Sequence, residues 1–128
     1  MRYDDFRQMP VWQTAFRLLT DIYRITKNFP SDERFGLISD MRRAANSIVH
    51  NIAEGFGRYE SRDKTRFYKI SRGSCYEVMS QLLVSFELKY MGSKTDLDKL
   101  IDVCKGIIKD LNSIIKTLET KYRVRDEE

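Results

Sequence analysis

The sequence is poor in residues that break or staple a chain: two prolines, six glycines, two cysteines and one histidine. So few breakers leave little room for tight turns and favour long helices over many short strands. One histidine and two cysteines cannot furnish the four N or S ligands of a structural zinc site. A di-iron bundle takes two Glu-x-x-His pairs facing inward, and His50 has no glutamate three residues before it. Cys75 and Cys104 lack Cys-x-x-Cys spacing and fall on predicted apolar faces, so both read as buried free thiols in a reducing cytoplasm. No apolar run approaches the roughly 20 residues that span a bilayer. The N-terminal MRYDDFRQM has no apolar stretch of the kind found in a secretory leader. These absences predict a cytoplasmic protein with no cofactor, no metal and no membrane contact.

What is present suits one globular domain over residues 1–128, with 41% apolar and 33% charged residues. Apolar periodicity divides it into four helices. The first covers about residues 10–28, opens at Pro10 and carries Val11, Ala15, Leu18, Ile22 and Ile25, widened by Trp12, Phe16, Leu19 and Tyr23. Asn28-Phe29-Pro30 ends it. The second covers about 35–56, with Leu37, Met41, Ala44, Ala45, Ile48 and Ile52 on one stripe and Gly55 and Gly57 as a left-handed stop. The third covers about 62–91, with Ser61 as cap, a stripe of Phe67, Ile70, Ser71, Ser74, Val78, Leu82 and Phe86, and Gly92 as stop. The fourth covers about 96–122, capped by Ser93 or Thr95. It reads Leu97, Leu100, Cys104, Ile107, Leu111, Ile114, Leu118 and Tyr122 in heptad register, with a third column of Ile101, Ile108 and Ile115. Residues 1–9 read as an irregular arm and 123–128 as a frayed tail. Short connections make consecutive helices neighbours, which predicts an all-α, antiparallel up-down-up-down four-helix bundle.

Formal net charge is +4, and its placement matters more than its size. Residues 58–72 hold Arg58, Arg62, Lys64, Arg66, Lys69 and Arg72 against Glu60 and Asp63, so this segment carries the whole excess. On a helical wheel Arg62, Arg66, Lys69 and Arg72 share one side, roughly opposite Phe67, Ile70, Ser74 and Val78. Cations in the first half of a helix gain nothing from its dipole. A nucleic-acid backbone as partner explains the row; a solvated face balanced by Glu60 and Asp63 is the plainer alternative. Tyr59, Tyr68 and Tyr76 lie nearby, and each reads either as a base-stacking ring or as core or interface packing.

The second helix has a further face. Asp40, Arg43, Ser47, His50, Asn51 and Glu54 line up away from Leu37 and Ile48. Mixed charge with short polar side chains suits hydrogen bonding to another subunit, and plain exposure to solvent accounts for it equally. Gly55-Phe56-Gly57 lacks the third glycine of a phosphate loop and follows a helix rather than a strand. No Ser, His and Asp set suggests a triad. The residues predict no enzyme.

Met41-Arg42-Arg43-Ala44-Ala45-Asn46-Ser47-Ile48-Val49-His50-Asn51-Ile52-Ala53-Glu54-Gly55 strongly resembles the signature of the four-helix bundle proteins encoded in 23S rRNA intervening sequences, historically named as ribosomal proteins. Val11-Trp12, Phe29-Pro30 with Glu33, Phe35-Gly36-Leu37, Arg66-Phe67, Gly73-Ser74 and Glu77 fit the same pattern in order. Asp40 stands where that pattern has Gln, and Ser71-Arg72 where a small Ala precedes Gly73. The resemblance implies a bacterial, cytoplasmic, ring-forming homo-oligomer, typically a homopentamer. A more distant likeness is to the accessory variability protein of diversity-generating retroelements, a basic barrel that binds nucleic acid and a reverse transcriptase.

Two functions follow as expectations. One is a non-enzymatic oligomer that binds rRNA or another nucleic acid, alone or in an RNA–protein complex, through Arg58, Arg62, Lys64, Arg66, Lys69 and Arg72. Its subunits would meet through Arg43, Ser47, His50, Asn51 and Glu54. The other is a scaffold for a protein partner with no nucleic-acid role.

Overall fold

Proline and a few polar caps set where the helices begin and end. The computed structural model describes residues 2–127, with side chains through residue 124, and holds four α-helices and no strand among them. Helix α1 spans Pro10–Thr26, α2 Leu37–Gly57, α3 Ser61–Glu87 and α4 Lys94–Glu127. Pro10 occupies the first position of α1, where its missing N–H leaves no bond unmade. Ser93 caps α4 by accepting the Asp96 N–H at 3.1 Å.

Several boundaries differ from expectation, each for a local reason. Gly55 and Gly57 are not left-handed stops. Both lie inside α2, and no described glycine has a positive φ. Gly55 is small because Tyr68 sits on it: an added Cβ would meet the ring's Cε1 at 2.8 Å. Helix α3 ends at Glu87, well before Gly92, and Lys89 beyond its last turn takes the left-handed position with a φ of 64°. The Tyr90 N–H then reaches Ser85 O and the Lys89 N–H reaches Phe86 O, both at 2.9 Å, the paired bonds of a Schellman stop. Glu60, not Ser61, precedes the first turn of α3. The supposed arm contains a 3-10 turn, Phe6–Gln8, whose Arg7 N–H is accepted by Asp5 at 2.8 Å, and Met9 after it is buried. The supposed tail is helical through Glu127; Met1 and Glu128 lie outside the described residues.

Each helix packs on two others: α2 on α1 and α3, and α4 on α3 and α1. Partners along α2 and α3 run in opposite order. Ser85 Oγ meets Met41 Sδ, Ser71 Oγ meets Ile48 O, and Lys64 Nζ meets Gly55 O, so these helices are antiparallel. The same reversal relates α3 to α4, through Arg72 with Asn112 and Lys69 with Glu119.

The core follows the expected main stripes on α1, α2 and α4, with Leu18, Ile22, Met41, Ile48, Ile52, Ile107 and Leu111 fully enclosed. Phe16 and Tyr23, expected to widen the α1 stripe, are instead exposed. On α3 the stripe is turned. Ile70 is 44% exposed and Phe67 only half-buried, while Thr65, Tyr68, Ser71, Cys75 and Ser85 face inward with Val78 and Leu82. Small residues on this face let α3 approach α2 closely. The cost of burying their hydroxyls is met by backbone acceptors: Ser71 Oγ donates to Ile48 O at 2.8 Å and Thr65 Oγ1 to Ser61 O at 2.9 Å.

At the end where α1 turns into α2, Phe29 packs at a tilt against Tyr90, ring centroids 5.4 Å apart. The Tyr90 hydroxyl donates to Glu33 Oε2 at 3.0 Å. The other oxygen of Glu33 accepts the first N–H of α2, from Leu37, at 3.4 Å. One carboxylate thus joins the α1–α2 loop, the start of α2 and the end of α3.

Gly55→Ala forces the buried Tyr68 ring to shift and should cost about 1–3 kcal/mol despite alanine's better helix propensity. Gly106→Ala, in open space on α4, should instead gain about 0.5–1 kcal/mol. Thermal melts of the two variants should move in opposite directions. Burial also pushes the Tyr68 phenol up from 10.0 to about 12. The folded state therefore keeps a proton that the unfolded state loses. This contribution to stability is intact below pH 10 and is lost as pH rises through about 12. Tyr68→Phe should show a shallower fall in melting temperature between pH 9 and pH 11.5 than the parent chain.

Candidate nucleic-acid interface

The basic row lies on α3 where that helix borders α4, and most of its charges are held by neighbours. The Arg62 guanidinium rests on the Tyr122 ring at 4.5 Å. Lys69 Nζ is 3.4 Å from Glu119 Oε2, and Arg72 Nη1 donates to Asn112 Oδ1 at 2.8 Å. All three partners are on α4. Arg66 and Arg58 lie over the Phe67 ring, at 4.5 and 4.7 Å. Arg58 also pairs with Glu54 at 2.6 Å, and Arg66 lies 3.9 Å from Asp63. Phe67, expected in the core, instead carries two guanidinium groups on its face.

Glu119 is the hinge of this seam. Partial burial works against its ionisation. The Lys69 ammonium, the Tyr122 hydroxyl at 3.2 Å and Arg123 outweigh that effect and hold the carboxyl below its usual range. Lys64 is placed differently from the rest. Its ammonium turns back to donate to Phe56 O at 2.8 Å and Gly55 O at 3.3 Å, closing the C-terminal end of α2. Desolvation first, then the nearby Lys121 charge, lowers its pKa. Among the six expected nucleic-acid contacts, Lys64 is the one committed to the backbone of its own chain.

Of the three tyrosines near the row, Tyr68 belongs to the core, while Tyr59 is 92% and Tyr76 56% exposed.

Along α4, and outside the sequence-predicted set, Lys105, Ile108, Lys109, Asn112, Ser113 and Lys116 line an open depression of about 360 Å³. It adjoins the α3 row, since Arg72 reaches Asn112. A wheel of α4 alone would have found it: Lys105, Lys109 and Lys116 recur at four and seven. Asp102, close to Lys109 on the same wheel, and Asp110, on another face, offset two of these three charges in a segment count.

The polar face of α2 divides into two clusters. Ser47 and Asn51 turn to α3: Ser47 Oγ is 2.7 Å from Ser74 Oγ, and Asn51 Nδ2 donates to Ser47 O at 2.8 Å. His50 belongs to the α1 side. Its Nε2 lies 3.2 Å from Asn46 Oδ1, and Asn46 Nδ2 donates to the Tyr23 hydroxyl at 3.0 Å. Arg42 covers the same Tyr23 ring at 4.6 Å. Arg43 pairs with Asp40 at 2.9 Å and Glu54 with Arg58, both exposed pairs of small energetic weight.

Among the described residues no group of three or more His, Cys, Asp or Glu side chains is placed to hold a metal ion. No described helix is long and apolar enough to cross a membrane. Cys75 and Cys104 are both free and buried, and the Cys75 thiol lies 3.3 Å from Cys104 O. The hydrogen bond with Cys104 and then burial push the Cys75 thiol far up, so it carries no thiolate.

No curated protein matches this sequence. A family model does, over residues 7–113, which takes in α1, α2, α3 and more than half of α4. The chain therefore belongs to the 23S rRNA-intervening sequence protein family.

Proposed function

We propose that this chain is a non-enzymatic, oligomeric bundle that binds structured RNA, free or within an RNA–protein complex, on the basic face of α3. The observation that carries this reading is the ordering of Arg62 and Arg72 by two uncharged side chains of α4, Tyr122 and Asn112. Long cationic side chains lose rotamer freedom when they grip a phosphate, and here part of that loss has already occurred on folding. Arg66, 60% exposed over Phe67, extends the row. The family's tie to an rRNA insertion supports RNA rather than DNA.

Binding of a fluorescent RNA hairpin, followed by anisotropy over a salt series, tests the reading. Arg62→Gln with Arg66→Gln should weaken binding about tenfold near 0.15 M salt and reduce the salt slope by about 1–2. A parent chain that fails to bind, or a variant indistinguishable from it, overturns the assignment.

Ile70, Val84 and Leu88, each 44–48% exposed on one side of α3, favour a second surface for protein contact. Ile70 lies one turn from Ser74, which meets Ser47 of the polar α2 face. Subunits of the oligomer would meet there, through Arg43, Ser47, Asn51 and Glu54. Light scattering on the nuclease-treated protein should give a multiple of 15.2 kDa. A monomeric mass overturns the oligomer. A nucleic-acid-free complex with another protein supports the scaffold reading instead.

A further inference from the structure

The cations of the α3 row are occupied within their own chain; those of the α4 depression are not. Lys105, Lys109 and Lys116 have no carboxylate at ion-pair distance among the described residues. Their depression also contains Asn112 and Ser113, with Ile108 as its one apolar lining residue and no acid or aromatic ring. Asn112 is oriented there. Its Oδ1 accepts from Arg72, which identifies the other arm of the amide as the donor end. The site is therefore rich in donors: three ammonium groups, an amide NH₂ and a hydroxyl that can also accept.

We propose that this α4 depression makes the direct phosphate contacts to RNA, and that the α3 row positions them through the Arg72–Asn112 bond. The inference rests on the RNA-binding reading above. It differs in which helix carries the binding energy and in what is read.

Three arguments lead to a phosphodiester backbone. First, a phosphate gains most from a cation that has no carboxylate to leave. Lys69 must loosen from Glu119 and Arg58 from Glu54, whereas the three lysines carry no such cost. Second, Lys105 and Lys116 are eleven positions apart, about 16 Å of helix, which suits several successive phosphates rather than one small anion. Third, no ring lines the depression, so nothing there stacks on a base. Contacts of this kind position the nucleic acid without reading its sequence.

The test is hairpin binding by the full chain over a salt series. It compares the parent, a Lys105→Gln/Lys109→Gln/Lys116→Gln variant, its Lys→Arg counterpart at the same three positions, and the Arg62→Gln/Arg66→Gln variant. The lysines are exposed or border solvent, so circular dichroism and melting temperature should not change. The triple Gln variant should lose about 10–100-fold in affinity near 0.15 M salt, more than the α3 variant, and its salt slope should fall by about 2–3. The Lys→Arg variant should bind like the parent. A hairpin of the same shape with scrambled stem sequence should bind the parent equally well.

If the triple Gln variant keeps the parent's affinity and slope while the α3 variant loses them, the α4 site is overturned and the RNA-binding reading stands. If scrambling the stem abolishes binding, the backbone-contact reading is overturned. If the parent does not bind the hairpin, the reading beneath the inference fails along with it.

Discussion

Everything in this bundle depends on how closely α3 can lie against α2. The approach is permitted by small side chains on both helices, Ala44, Ala45 and Gly55 on one and Ser71, Cys75 and Ser85 on the other. It is fixed by Ser71 Oγ reaching the Ile48 carbonyl and by the Tyr68 ring lying on Gly55. Close contact of this sort leaves no room for long apolar residues in the first turns of α3. Phe67 and Ile70 are turned outward as a result, and the basic residues between and around them are set against α4. The charged seam is thus a product of the tight one.

Charge in this chain comes in two physical states. On α3 it is partly neutralised and held in place by carboxylates, an amide and aromatic faces. At the α4 depression Lys105, Lys109 and Lys116 have no carboxylate at ion-pair distance among the described residues. A count of net charge sees mainly the first, because Asp102 and Asp110 offset two of the three lysine charges at the α4 depression. Exposed ion pairs such as Arg66–Asp63 and Lys94–Asp98 contribute little to stability. Their significance lies in which cations they leave available.

Much of the fold was legible in the sequence because α1, α2 and α4 carry long, regular apolar stripes that point one way. Pro10, Pro30 and Ser93 do what their chemistry predicts. On α3 the expected stripe is only half right: Ser71, Cys75, Val78 and Leu82 are enclosed as expected, but Phe67 and Ile70 are not. Their places on the buried side go to Thr65, Tyr68 and Ser85. No periodicity of apolar residues reveals the Thr65 and Ser85 hydroxyls, whose partners are backbone carbonyls. The glycines misled for a related reason. Gly55 looks like a stop but answers to a ring contributed by another helix, while the true left-handed stop is Lys89, a residue with no propensity for it. At the candidate site the row of cations was readable, but the capping role of Lys64 was not. It depends on where the carbonyls of Gly55 and Phe56 come to lie.

The Glu33 carboxylate has a consequence for motion. Its two oxygens tie the α1–α2 loop and the head of α2 to the foot of α3 through Tyr90, and Phe29 seals the contact. At the opposite end, where α3 begins and α4 runs out past Tyr122, Lys64 ties α3 to the end of α2, whereas α3 and α4 are joined by side-chain contacts at the surface. The α3–α4 seam should therefore open more readily than the contacts around Glu33, while amides of the enclosed core exchange slowest of all. The surface proposed to meet RNA would then be the one most able to adjust its shape to an irregular polyanion.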